Sequence, residues 1–290
     1  MTGTRQKGVA LVLVLWMSVL LAVVIGSFAI AARTETLQAR QLFDGLKAEY
    51  AAQAGLHRAV YELRRPNMED RWFTDGRAYE IQYDQAEVEI RITDESGKID
   101  INVADEELLG RLFDSIDVSE DARDLLVDAI LDWRDPDDLI RINGAEDDDY
   151  RSAGYPYGAK DAPFDTIGEV QQVMGMDYEL YLAIEPAITV HSGRPVPEPA
   201  FAPVEVLRTL EGMDEASALD FVAQREQNTE LGVPLPVLPD GTTPLARGGG
   251  YTFTVVSTAT MPSGVTNAIE VTVRMGGVPG GQPFRILRWN

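Results

Sequence analysis

"RQKGVALVLVLWMSVLLAVV", residues 5–24, sets two cations and a glycine directly before an unbroken apolar run. From Val9 to Ala32 there are 24 consecutive residues without a formal charge. A helix of that length covers about 36 Å, more than the ~30 Å hydrocarbon core of a bilayer, so it can span a membrane. Arg5 and Lys7 place the short N-terminal end in the cytoplasm, and the body after residue 33 on the other side. Ala29-Ile30-Ala31 offers a small-x-small site for signal peptidase. The apolar run is nevertheless longer than the ~7–15 residues of a secretory signal, so retention is the better reading.

The next thirty residues support retention. In "TLQARQLFDGLKAEYAAQAGLHRAVYELRR", residues 36–65, the positions Leu42, Leu46, Tyr50, Ala54 and His57 to Val60 recur at helical spacing with charges between them. One continuous helix over about 9–64 is expected, apolar all round at first and amphipathic later. Pro66 and Asn67 end it.

A basic leader ending in Gly8, then Val9-Ala10-Leu11 and a long apolar helix, resembles the N-terminus of type IV pilin-like proteins, which include the pseudopilins of type II secretion. The resemblance implies a leader at 1–8 and cleavage between Gly8 and Val9 by prepilin peptidase on the cytoplasmic face. It also implies methylation of the new terminus and a single-pass inner-membrane protein with a periplasmic body. Most members carry Glu at the fifth residue after the cut, where this chain has Leu13. An acid within a membrane is costly and is kept only for a partner. Within the family its absence marks the minor pseudopilin called K.

The rest of the chain sharpens that choice. "RAYEIQYDQAEVEIRITDESGKIDIN" alternates at Tyr79, Ile81, Tyr83 and again at Val88, Ile90, Ile92, two strands around a turn near Asp84. "YTFTVVSTATMPSGVTNAIEVTVRM" predicts a second hairpin, with strands at 251–260 and 267–275 around Pro262-Ser263-Gly264. The fold expected is α+β and pilin-like: a long helix packed on an antiparallel sheet, built from 33–93 and 249–290, with a large and mostly helical insertion at 94–248. Apolar periodicity within the insertion predicts helices over 104–116, 119–133, 166–184 and 203–225. "EVQQVMGMD" (169–177) and "VLRTLEGMD" (206–214) match at their Gly-Met-Asp ends. Each reads as a helix, a glycine cap and a turn into the next helix.

"GKIDINVADEELLGRLF", "ARDLLVDAILDWRDPDD" and "RINGAEDDDY" are, in that order, similar to the inserted domain of the K pseudopilins. The resemblance implies a tip subunit of the pseudopilus that primes assembly with minor pseudopilins I and J and further pseudopilins of the filament. It also implies calcium binding. A minor pilin of a related type IV pilus or DNA-uptake machine is the alternative.

Composition bounds the chemistry. The 290 residues include no Cys and only His57 and His191, which excludes thiol nucleophiles and multi-histidine metal centres. The net charge of −22 argues against nucleic acid. Residues 94–149 alone hold 20 Asp plus Glu against 5 Lys plus Arg, a net of −15. A helix-hairpin-helix DNA module is one rival reading there. Its hairpin, Asp114-Ser115-Ile116-Asp117, would repel a phosphate. Asp137 and Asp138 could pair as acid and base, but no nucleophile, phosphate loop or nucleophile elbow accompanies them, so no enzyme is expected.

In "DPDDLIRINGAEDDD", the oxygens of Asp135, Asp137, Asp138, Glu146, Asp147, Asp148 and Asp149 suit calcium. Asp135 to Glu146 has the first-to-twelfth spacing of an EF-hand loop. Leu139 and Ile140 at its fifth and sixth positions show that it is not one. Leu139, Ile140 and Ile142 are expected to tie this loop to a core.

Overall fold

The computed structural model describes residues 9–67, 70–245, 249–276 and 281–290. Helix α1 runs unbroken over Val9–Leu63. Its first half carries an 18-residue window of mean hydropathy 2.9 with none of it buried in the body. The few hydroxyls there turn back on the helix: Ser18 donates to the Val14 carbonyl at 2.8 Å and Ser27 to that of Val24 at 2.9 Å. Polar side chains satisfied in this way suit a lipid surround.

Two hairpins match the expected pattern and join one antiparallel sheet of order β1-β2-β5-β6-β7. Strands β1 (Asp75–Tyr83) and β2 (Ala86–Asp94) meet at a tight turn where Asp84 takes a φ of 51°. Strands β5 (Thr252–Thr260) and β6 (Thr266–Met275) enclose the Pro-Ser-Gly turn. A fifth strand, β7 (Phe284–Trp289), pairs with β6. It had no advance sign, because its two arginines break the alternation that marks a half-buried strand.

The face of α1 that meets the sheet is not the one its large residues suggest. Leu42, Leu46 and Tyr50 are more than half exposed, whereas Ala48, Ala51, Ala52, Leu56, Ala59, Val60 and Leu63 form one core with Val88, Ile90, Ile92, Val255, Val271 and Val273. Small residues let helix and sheet approach closely, and they leave the larger apolar side chains free.

The chain leaves the sheet after β2 and returns at β5. Its exit and re-entry are clasped by two buried acids. Asp94 accepts from the Ser96 amide at 2.8 Å and the Gly250 amide at 2.9 Å. Glu95 accepts from Thr254 Oγ1 at 2.8 Å and from Thr189 Oγ1, and pairs with Lys98 at 3.1 Å. Between these points a second core forms around Ile99, Ile101, Leu109, Phe113, Ile130 and Trp133. Short parallel strands β3 (Ile99–Asp100) and β4 (Ile188–Thr189) and helices α2 (Glu106–Asp114) and α3 (Glu120–Arg134) contribute to it.

Two expected helices are interrupted. Over 166–184 the chain forms a 3-10 turn at Ile167–Gln172, then an extended Val173, then a separate helix at Tyr178–Ile184. Over 203–225 it forms Val204–Leu207, then a helix at Glu215–Leu231. The cause is the Gly-Met-Asp repeat itself. Gly175 and Gly212 take φ of 83° and 78°, while Asp177 and Asp214 each cap the following helix by accepting an amide at 2.8 Å. In order after α3, the remaining helices are α4 (Asp147–Ser152), α5 (Tyr178–Ile184), α6 (Val204–Leu207) and α7 (Glu215–Leu231).

Candidate metal centre

The last turns of α3 build the floor of the acidic region. Asp128 and Asp132 stand one helical turn apart and face the loop at 139–146. Asp128 Oδ2 accepts from the Asn143 amide at 3.0 Å, and Asp132 Oδ2 from the Arg141 amide at 3.2 Å. The side chain of Asp132 is fully buried, and its Oδ1 accepts no hydrogen bond, although Arg141 Nε lies 3.5 Å from it. Glu146, the N-cap of α4, is also buried and leaves its Oε1 without a donor. An orphan carboxylate oxygen in such a place is costly unless something positive completes it.

The electrostatics identify the neighbours. Burial, then the charges of Asp132, Asp161, Asp135 and Asp138, push the Glu146 carboxyl up to about 7. Burial and the charge of Asp135 push Asp132 up to about 6, against the pull of Arg141, through its amide and its charge, and of the Ala145 amide. Asp161 is raised by desolvation and by Asp138, Asp147 and Asp135. These carboxylates therefore share one region and repel one another there.

The seven acids expected from the sequence divide accordingly. Asp135, Asp138, Glu146 and Asp147 belong to this coupled group. The other three have local duties: Asp137 accepts from the Leu139 amide at 2.9 Å, Asp148 pairs with Arg151 at 2.6 Å, and Asp149 accepts from the Glu146 amide at 3.1 Å in a capping box. Asp147 divides its charge between the group and Arg151. Asp132 and Asp161 were missed. Asp132 had a sign, a carboxylate at buried helical spacing beside Trp133, whereas Asp161 lies in a loop with no local pattern. Among the described residues, no three His, Asp or Glu side chains already stand in metal-holding geometry. The group is a convergent acidic cluster in which two buried oxygens accept no hydrogen bond, not a closed cage.

The loop differs from expectation in one more respect. Leu139, Ile140 and Ile142 do not tie it to a core; they are 76%, 54% and 98% exposed. The tie is made by backbone amides to Asp128 and Asp132 instead. Gly8 lies outside the described residues. Val9 opens α1 with its side chain exposed. The Asp114-Ser115-Ile116-Asp117 hairpin joins α2 to α3, with Asp114 paired to Arg123 at 3.0 Å.

Three comparisons bear on identity. The family model described as type II secretion system (T2SS), protein K, matches residues 89–193. The type II secretion system protein K of Klebsiella pneumoniae is 26% identical over 206 residues, covering 63% of this chain and 62% of that protein. A putative type II secretion system protein K of Escherichia coli K12 is 22% identical over 207 residues, covering 65% and 63%. The chain thus spans a little over three-fifths of the length of these relatives. Its fold is similar to that in the crystal structure of the GspK-GspI-GspJ complex from the enterotoxigenic Escherichia coli type 2 secretion system. The TM-score is 0.57 at 20% identity, over 89% of this chain and 98% of that one. With its long helix on an antiparallel sheet the chain has a pilin-like fold, and residues 89–193, from within β2 to just past β4, match the type II secretion system protein K model.

Proposed function

We propose that the chain is a minor pseudopilin of the K type, a structural subunit rather than an enzyme. In this reading residues 1–8 are a leader removed by prepilin peptidase, 9–32 a single inner-membrane span, and the remainder periplasmic. Residues 33–93 and 249–290 form the pilin-like part, and 94–248 the inserted domain. The observation that carries the reading is α1. Its apolar half is wholly unburied, and its second half holds the sheet through alanines while Leu42, Leu46 and Tyr50 stay open to partner helices. The inserted bulk and the apolar Leu13 suit the end of a filament, with minor pseudopilins I and J below it. The purified chain in detergent, mixed with I and J of the same system, is expected to elute as one stoichiometric complex. Failure to associate, or a complex with the K subunit beneath the other two, contradicts the tip assignment.

We also propose calcium at the acidic cluster. The donor set is all oxygen, and the buried Glu146 Oε1, which has no donor, fits a hard cation. Asp132, Asp135, Asp138, Glu146 and Asp161 would hold it, and the bound ion would supply the positive charge that lets these acids lie together. The pH dependence comes from the raised carboxyls. Folded Asp132 and Glu146 hold protons more tightly than in the unfolded chain, so their contribution to metal-free stability is present below about pH 4. It is lost as pH rises through about 6 and about 7. Calcium competes with those protons. The rise in Tm on adding calcium should therefore be large at pH 7.5 and small at pH 5, and Glu146→Gln should remove most of it. A calcium shift equal at both pH values, or unaffected by Glu146→Gln, would count against the site.

A further inference from the structure

The loop over the acidic cluster presents three large apolar side chains to solvent from a backbone that is fixed in place. Ile142 is 98% exposed, Leu139 76% and Ile140 54%. Such residues on a loose loop would turn inward against the nearest apolar surface. Here the backbone is held at closely spaced points: the Leu139 amide on Asp137, the Arg141 amide on Asp132, and both the amide and the side chain of Asn143 on Asp128. The Gly144 amide closes a turn onto the Arg141 carbonyl at 3.2 Å. Asp128 and Asp132, both buried, and the exposed Asp137 hold the loop by its amides and leave its apolar side chains outside.

A groove of about 710 Å³ opens beside Ile142, between α2 and α3. Its walls carry five carboxylates and three guanidinium groups, and two of those cations are already paired, Arg123 with Asp114 at 3.0 Å and Arg111 with Glu107. The third, Arg141, lies 3.5 Å from Glu106 and 3.5 Å from Asp132. On the other flank Asp137 and Asp138 are exposed. The surface around the apolar tip is therefore acidic, with its few cations engaged. An anionic lipid surface and a second copy of this acidic chain would both be repelled by it.

We propose that Leu139, Ile140 and Ile142 form a docking tip for a different protein, one that offers an apolar pocket rimmed by lysine or arginine. Apolar side chains supply the buried area, and the acidic surround sets the choice of partner and speeds encounter. This proposal does not depend on the identity of the cation below the loop or on the filament position proposed above.

The test places the photo-crosslinker p-benzoylphenylalanine at position 142 of the full chain, expressed in the envelope of its own bacterium, and maps the adduct by mass spectrometry. The expected result is one adduct with a protein other than this chain, at a segment combining apolar residues with Lys or Arg. Its yield should fall at least fivefold with Leu139→Ser and also with the pair Glu107→Lys and Asp114→Lys, two exposed acids of the groove wall beside Ile142 that take no part in the acidic cluster. Circular dichroism melts of these variants should match the parent, because the altered side chains lie outside both cores. An adduct with a second copy or with lipid, no adduct, or an adduct indifferent to the charge reversals would overturn the proposal.

Discussion

Gly55→Leu is expected to separate α1 from the sheet and to lower stability by about 3 kcal/mol, the upper part of the usual overpacking range. A Cβ at position 55 would lie 2.1 Å from Ser257 Oγ, 3.0 Å from Val88 Cγ1 and 3.2 Å from Ser257 Cβ. The Ser257 hydroxyl can turn away, but Ser257 Cβ is fixed to β5 and Val88 sits on β2 beside it, so a full leucine side chain fits only if the helix and strands move apart. A loss of that size is a large share of the ~5–15 kcal/mol that holds a typical domain together. Urea unfolding measures it as a fall in midpoint without a change in slope. The cause can be isolated with smaller changes. Ser257 Oγ is buried and unpartnered, so Ser257→Ala alone should be neutral or stabilising, and it should rescue much of the cost of Gly55→Ala. Additive single effects would mean that the close approach is not the reason for the glycine.

Arg225→Met is expected to cost a comparable amount, about 3 kcal/mol, for a different reason. Arg225 on α7 is 1% exposed, and among the described residues no carboxylate forms an ion pair with it. Its guanidinium donates to the carbonyls of Pro199 at 3.1 Å, Ala202 at 2.8 Å and Asp75 at 3.4 Å. It therefore joins α7 and the connector after β4 to the first residue of β1. Methionine fills similar volume but leaves the two nearer buried carbonyls without donors, at about 1–3 kcal/mol each. Part of that is recovered, since burial already disfavours the charged guanidinium and lowers its pKa. Next to it, Arg77 pairs with Asp75 at 2.7 Å and reaches Thr229 of α7 at 2.5 Å. Loss of Arg225 should therefore also loosen the junction between the two cores. Hydrogen exchange should rise at 75–77 and 225–229 before it rises in the centre of the sheet. Uniform exchange throughout the chain would contradict a local role.

These two positions show where the sequence was legible and where it was not. The length of α1, both hairpins and their place in a single sheet were carried by periodicity, by Pro66 and by the turn residues around Asp84 and Gly264. The packing face of α1 was not, because alanine and glycine give no hydrophobic signal while Leu42, Leu46 and Tyr50 give a strong one on the side that stays open. Strand β7 was hidden by Arg285 and Arg288. The Gly-Met-Asp repeat signals a cap and a turn, and it ends helices that apolar periodicity alone would carry through it. In the acidic region, residue type and spacing located the loop and four members of the coupled group, Asp135, Asp138, Glu146 and Asp147. They did not reveal that Asp149 would be used as a helix cap, that Asp161 would arrive from a distant loop, or that the loop's apolar residues would face outward. Those outcomes depend on α3 supplying Asp128 and Asp132 as amide acceptors, which is a tertiary fact.

Mass spectrometry of the mature N-terminus tests the central claim most directly. The expected result is a mature chain that begins at Val9 with its amine methylated and keeps the whole of α1. A mature chain that begins at Met1, or at Ala32 after removal of the apolar segment, would contradict the account.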